Sequence, residues 1–169
     1  MIKIWPLLFT ALVLCAIGCN TPARFPIEAP LKVNMKDGII GIWKFAEDTD
    51  KNNYYEVTAS RSSVPYQYHV KFFNYGGTNA TYEGNIYFSN VGGSTFINVP
   101  YLDEKTSRRG FFFLKVIDEN FGFSKITTAT VDDTTLWSLN SSAAVRQRIS
   151  ENLKNPKFYS DTVHLYKVK

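Results

Sequence analysis

From Gly38 onward the apolar residues recur at every second position in short bursts, and clusters of Gly, Asn, Asp and Ser separate the bursts. In the first burst Ile39, Gly41, Trp43 and Phe45 share one face, and Ile40, Ile42 and Lys44 the other. A second strand is predicted over 53–60, with Tyr55, Val57 and Ala59 together. Within 66–73, Tyr68, Val70 and Phe72 oppose Gln67, His69 and Lys71, the clearest half-buried strand of the chain. In the fourth run Tyr82, Gly84, Ile86 and Phe88 fall together, with Gly84 marking a bulge or bend. Gly76-Gly77 and Gly92-Gly93 supply tight turns on either side of it. Strands follow over 94–101 and 110–117. The second of these is apolar on both faces at Phe111-Phe112-Phe113-Leu114, so it must be covered on both sides. A seventh strand is expected over 121–130 and an eighth over 134–139, carrying Trp137. The period then lengthens: Val145, Ile149 and Leu153 recur every fourth residue, which predicts a helix over 141–154. Asn140 or Ser141 caps it and Asn155-Pro156 stops it. A last strand spans 162–168.

The chain ahead of this pattern divides in two. Lys3 is followed by an almost wholly apolar run from Ile4 to Ile17. That run is too short to cross a ~30 Å hydrocarbon layer, and its basic start and small-residue end describe a secretory signal over 1–18. Ala16-Ile17-Gly18-Cys19 resembles the lipobox of bacterial lipoproteins. The resemblance implies a diacylglyceryl group on the Cys19 sulfur and cleavage in front of it. Two acyl chains, at about 0.8 kcal/mol per buried CH₂, hold a protein on a membrane where one does not. It implies a bacterial envelope protein, and Asn20, rather than aspartate, after the cysteine favours the outer over the inner membrane. Pro22, Pro26 and Pro30 make 19–37 a proline-stiffened tether, although Phe25 and Ile27 are apolar enough to pack on the domain. The domain proper is 38–169.

The order of strands, helix and final strand, together with Gly41-Ile42-Trp43, resembles the lipocalin family. The fold so implied is mainly β: an antiparallel up-and-down barrel of eight or nine strands with one helix before the last, Trp43 plugging its closed end. Two features of that family are absent. Asp118-Glu119-Asn120 stands where a Thr-Asp-Tyr turn is usual, and Arg146 and Arg148 lie on the helix rather than on a strand beside the tryptophan. The small lipocalin-like lipoproteins of bacterial envelopes are the looser group that the chain resembles.

Charge and chemistry narrow the function classes. The net charge of +4 comes from basic residues scattered among acidic ones, which gives no nucleic-acid stripe. Both cysteines, Cys15 and Cys19, precede the domain, so no disulfide or thiolate metal site is expected in it. His69 and His164 each alternate with apolar neighbours and point to solvent. Asp48, Asp50 and Asn52 have the spacing of the first ligands of a calcium loop, without its later Gly and Glu in register. No metal, cofactor or enzymatic activity is expected. The stronger signal is aromatic: 13 Phe, 10 Tyr and 3 Trp either fill the barrel or line a cup for a small hydrophobic or aromatic molecule. The lining candidates are Trp43, Tyr68, Phe72, Tyr82, Phe88 and Phe113. The alternative is a filled barrel that engages another envelope protein through the loop from Asp103 to Arg109.

Overall fold

The computed structural model describes residues 22–46, 53–61, 63–74, 79–103, 108–119 and 125–168. The leader, Cys19, the 48–52 turn and Gly76-Gly77 lie outside the described residues. Eight antiparallel strands close into an up-and-down barrel, each bonded to its neighbours in sequence and the last to the first. They are β1 (Gly41–Phe45), β2 (Tyr54–Ala59), β3 (Tyr68–Phe73), β4 (Tyr82–Val91), β5 (Ser94–Asp103), β6 (Arg108–Glu119), β7 (Lys125–Val131) and β8 (Tyr159–Lys167). One helix, α1 (Ser142–Glu151), precedes β8. Closure gives every strand a partner on both sides, and where β6 runs past the end of β7 it pairs with Ala23.

The two-residue period sets the inside and the outside. Trp43 lies opposite Tyr55, Tyr55 opposite Phe72 and Phe72 opposite Tyr82, so these side chains share the inner face. The β4–β5 hairpin turns at Gly92-Gly93, whose φ values of +55° and +80° suit the turn type that matches strand twist. On β8, Asp161 takes φ +43° where the β7–β8 register slips beside Ala129 and Thr130. This bulge explains why the strand starts at Tyr159, before the predicted 162: Ser160-Asp161 reads as a turn in the sequence and is a kink within the strand.

Two segments differ from expectation. Residues 134–139 form no strand. Thr134–Ser138 is a 3-10 helix, started by Asp133, whose carboxylate accepts from the Thr135 N–H at 3.0 Å and its hydroxyl at 2.7 Å. Local capping outweighs the strand preference of two threonines. Upstream, the stretch assigned to the tether packs on the barrel from residue 22 onward. Ala23 exchanges both backbone hydrogen bonds with Phe111 on β6, at 2.9 and 2.7 Å. Ile27 is buried.

This segment, α1 and the outer faces of β4 to β7 enclose one apolar cluster containing Ala23, Ile27, Phe96, Phe113, Val145 and Ile149. Ser141 caps α1 by accepting from the Ala144 N–H at 3.2 Å, and the stripe Val145, Ile149, Leu153 faces this cluster. Glu28 joins the segment to α1 through Arg146 at 2.9 Å. Arg146 is 42% exposed, so that pair contributes little.

Asp133 is more tightly held, with its side chain 7% exposed and Arg148 Nε donating to it at 2.6 Å. Burial alone would raise its pKa. The hydrogen bonds from Arg148 and Thr135 outweigh burial and hold it below the usual carboxylate range. A carboxyl depressed in the folded state stabilises above its unfolded pKa of about 3.9, and that contribution disappears as pH falls through the lower folded value. Asp133→Asn keeps a capping oxygen and removes the charge that faces Arg148, and should therefore destabilise the protein by about 1–2 kcal/mol near neutral pH. The gap between variant and wild type should narrow as pH falls below the ordinary carboxylate range, as urea titrations at neutral and acid pH would read.

Candidate functional site: the aromatic interior of the barrel

The end of the barrel where β1 begins and β8 finishes is shut by the chain itself. Short 3-10 turns at Lys32–Asn34 and Asp37–Ile39 carry the backbone across it. The Lys36 N–H donates to the Tyr68 hydroxyl at 2.5 Å, and the Trp43 indole N–H to the Ile39 carbonyl at 2.7 Å. Lys167 donates to the Gly38 carbonyl at 2.9 Å, with its ammonium 6.0 Å from the centre of the Trp43 ring. A lysine on the last strand thus lies over the tryptophan, whereas the lipocalin pattern puts an arginine on the strand before the helix. Above this floor Trp43, Val57, Tyr68, Val70, Ile86, Phe88 and Ile126 pack into a buried core.

Toward the other end the inner face changes character. Phe45, Tyr55, Val99, Tyr101, Phe112 and Leu114 point to the barrel axis and still retain solvent-accessible surface. Tyr55 is half-buried, between Trp43 on β1 and Phe72 on β3. The rings of Tyr55, Phe45 and Phe72 form one wall, with centroids 4.8 to 6.4 Å apart. Tyr82 folds over Gly84, where an added Cβ would stand 2.6 Å from the Tyr82 oxygen. Gly84 is thus a place made for a phenol ring rather than a sheet bulge. Burial, then the neighbouring Tyr82, pushes the Tyr55 phenol far above its ordinary pKa, and burial raises Tyr82 as well. Both hydroxyls stay neutral and able to donate or accept a hydrogen bond. Opposite them Thr128 and Thr130 are buried, and the Ser160 hydroxyl is buried without a hydrogen-bond partner. The interior is therefore apolar with a few polar groups.

Of the residues proposed from sequence, Trp43, Tyr68 and Phe88 are inward-facing and buried in the lower barrel, Phe72 is inward-facing and buried beside Phe45 and Tyr55, and Tyr82 is inward-facing next to Phe72, 38% exposed. Phe113 is on the opposite face. It lies opposite Asn98 on β5, in the cluster beneath α1, and so cannot line the interior. Its strand is apolar on both faces, and alternation carried no sign there. The inward residues of that strand are Phe112 and Leu114. Phe45, Tyr55, Val99 and Tyr101 were not singled out, although the period-two pattern places Tyr55 with Val57.

The remaining chemistry lies outside the barrel. His69 sits between Asn85 at 3.1 Å and Glu83 at 2.9 Å on the outer face of β3 and β4, and His164 meets Thr127 at 3.0 Å. An open groove of about 710 Å³ runs along β5 to β8 beside Tyr159 and Asp161. Its lysine, Lys115, is occupied by the Leu153 carbonyl at 2.9 Å and the face of Tyr159 at 4.6 Å. No protein-family model, no curated protein and no solved structure matches the chain.

Proposed function

We propose that this chain is a lipid-anchored protein of a bacterial envelope, joined to the membrane through Cys19, whose barrel takes a small hydrophobic or aromatic molecule into its open end. The observation that carries the binding reading is the split interior: a packed lower half, and an upper half whose inward aromatic side chains keep accessible surface. Folding normally removes such surface from water at about 25 cal/mol per Å². A ligand that covers it recovers that free energy. Tyr55 and Tyr82 then orient a polar group on the ligand. The reading is of a binding protein rather than an enzyme, without metal or cofactor, and outer-membrane attachment is favoured by Asn20.

The test uses a dye that fluoresces in apolar surroundings and the chain from residue 20 onward. Competable binding is expected. Leu114→Trp, which fills the upper interior from an inward position, should weaken it by roughly tenfold or more, about 1.4 kcal/mol. Tyr55→Phe should leave dye binding intact and weaken only ligands that carry a hydrogen-bonding group. Absence of competable binding would move the reading to the filled-barrel module that acts through the Asp103–Arg109 loop.

A further inference from the structure

A hollow of a different kind lies on the outside of the barrel wall. The groove along β5 to β8 has a volume of about 710 Å³, within the range that takes a small molecule. Three departures from regular pairing open it. Beyond the pair Phe96–Lys115, β5 and β6 part: Ser94 and Thr95 are paired with β4 and have no counterpart on β6. On β6, Ile117 is an extra residue between Val116, opposite Thr128, and Asp118, opposite Thr127. On β8, Asp161 is an extra residue between Ser160, opposite Thr130, and Thr162, opposite Ala129. A bulge leaves its extra residue out of the ladder. Ile117 is 55% exposed and Asp161 is exposed as well, and both line the groove.

The groove holds two charges that do not neutralise each other. Asp161 sits at φ +43°, a left-handed backbone that aspartate is among the few side chains to tolerate. Its carboxylate has no partner among the described residues. Lys115 stands on the floor, in one row with Ala129 and Thr162. Its ammonium has three donors. The Leu153 carbonyl takes one at 2.9 Å, and the Tyr159 ring face holds the head at 4.6 Å. The head is fixed by these contacts and keeps donor capacity for a further acceptor.

This pair of charges restricts the occupant. An anion is repelled by Asp161 and a cation by Lys115. A purely apolar ligand would strip water from both charges and return no hydrogen bond. A hydroxyl donates and accepts, so a ring that bears several can donate to the carboxylate and accept from the ammonium at once. Ser94, Thr95 and Thr162 add hydroxyls of the same two-way kind along the groove. Ile117, Pro156 and Tyr159 supply apolar surface for the C–H faces of such a ring.

We propose that this outer groove is a binding site for a neutral saccharide, held between Asp161 on β8 and Lys115 on β6. The site is separate from the barrel interior and rests neither on a ligand there nor on lipid at Cys19.

The full chain, labelled with ¹⁵N and held in phosphocholine micelles, is titrated with chitotriose, cellotriose, maltotriose and mannotriose. Trigalacturonate, trilysine and trialanine are titrated in parallel. Amide signals of Thr95, Ile117, Asp161 and Thr162 should shift with at least one neutral trisaccharide at about 10 mM, enough to fill most of a site with a Kd of ~1 mM. Asp161→Asn keeps a side chain that tolerates the backbone and should weaken that binding roughly tenfold, through loss of a charge-assisted hydrogen bond. Thr162→Trp fills the groove from an exposed position and should abolish the shifts. Both variants should unfold at the wild-type temperature. A groove silent to all four neutral trisaccharides overturns the proposal. Shifts as large with trigalacturonate, trilysine or trialanine overturn the saccharide class, and shifts that persist in both variants overturn the placement in this groove.

Discussion

Trp43→Ala should lower the unfolding free energy by about 3–5 kcal/mol, the largest single-residue effect expected outside the proline and glycine classes. Trp43 is 2% exposed and sits where the floor segment, β1 and the lower core meet. Removing the indole opens a cavity between Ile39 and the residues above it, and the barrel wall cannot collapse into that space without breaking strand pairing. The Ile39 carbonyl also loses its donor, at about 1 kcal/mol. Trp43→Phe separates the two contributions. It keeps most of the apolar volume and should cost about 1–2 kcal/mol. Urea unfolding with a common slope would measure both. If Trp43→Ala were nearly neutral, the floor would not be part of the cooperative unit, and the lower barrel would owe its order to the strands alone.

Much of the barrel was legible because alternation is a direct physical record of a wall with one wet and one dry face. The runs at 66–73 and 82–88 alternate cleanly, and both appear in register with Tyr68, Val70 and Phe72 inward. The four-residue stripe of Val145, Ile149 and Leu153 likewise foretold α1 and the face it buries. Legibility failed where a second layer covers the wall. Under α1 and residues 22–28 the outer face is as apolar as the inner one, so Phe113 could not be told from Phe112. It failed again where one side chain decides the backbone: Asp133 turns Thr134–Ser138 into a 3-10 helix although the threonines favour a strand. The prolines at 22, 26 and 30 were read as stiffness, and they also suit a segment that crosses the barrel without adding a full strand. The packed floor was foreseen through Trp43, but the upper-interior residues Val99 and Tyr101 were not. Nothing in a sequence of inward apolar residues tells which will meet a partner side chain and which will meet space.

Asn98→Ala should cost about 3 kcal/mol and release the residues ahead of β1 from the barrel wall. Asn98 is a fully buried polar residue on the outer face of β5, where alternation alone would place it in water. The segment over it is the reason it is dry. Its carbonyl oxygen accepts from the Ile27 N–H at 3.1 Å, and its amide donates to the Tyr87 carbonyl at 3.3 Å and the Ser89 hydroxyl at 2.8 Å. Alanine leaves a buried donor and two acceptors without this partner, at about 1–3 kcal/mol for each group that finds no other. Ser89 can turn its hydroxyl and recover part of the loss, which keeps the total near the lower sum. Tyr87, buried beside Asn98 and Glu28, has its phenol pKa pushed far above the ordinary value by burial and then by the Glu28 charge, so this patch tolerates no further unpaired polar group. Without the Asn98–Ile27 bond, residues 22–28 lose one of their ties to the barrel wall. Hydrogen exchange at Ile27 should accelerate by several orders of magnitude more than at core amides of β3. Unaltered exchange at Ile27 would mean that the Ala23–Phe111 pairing and the apolar contacts hold the segment without Asn98.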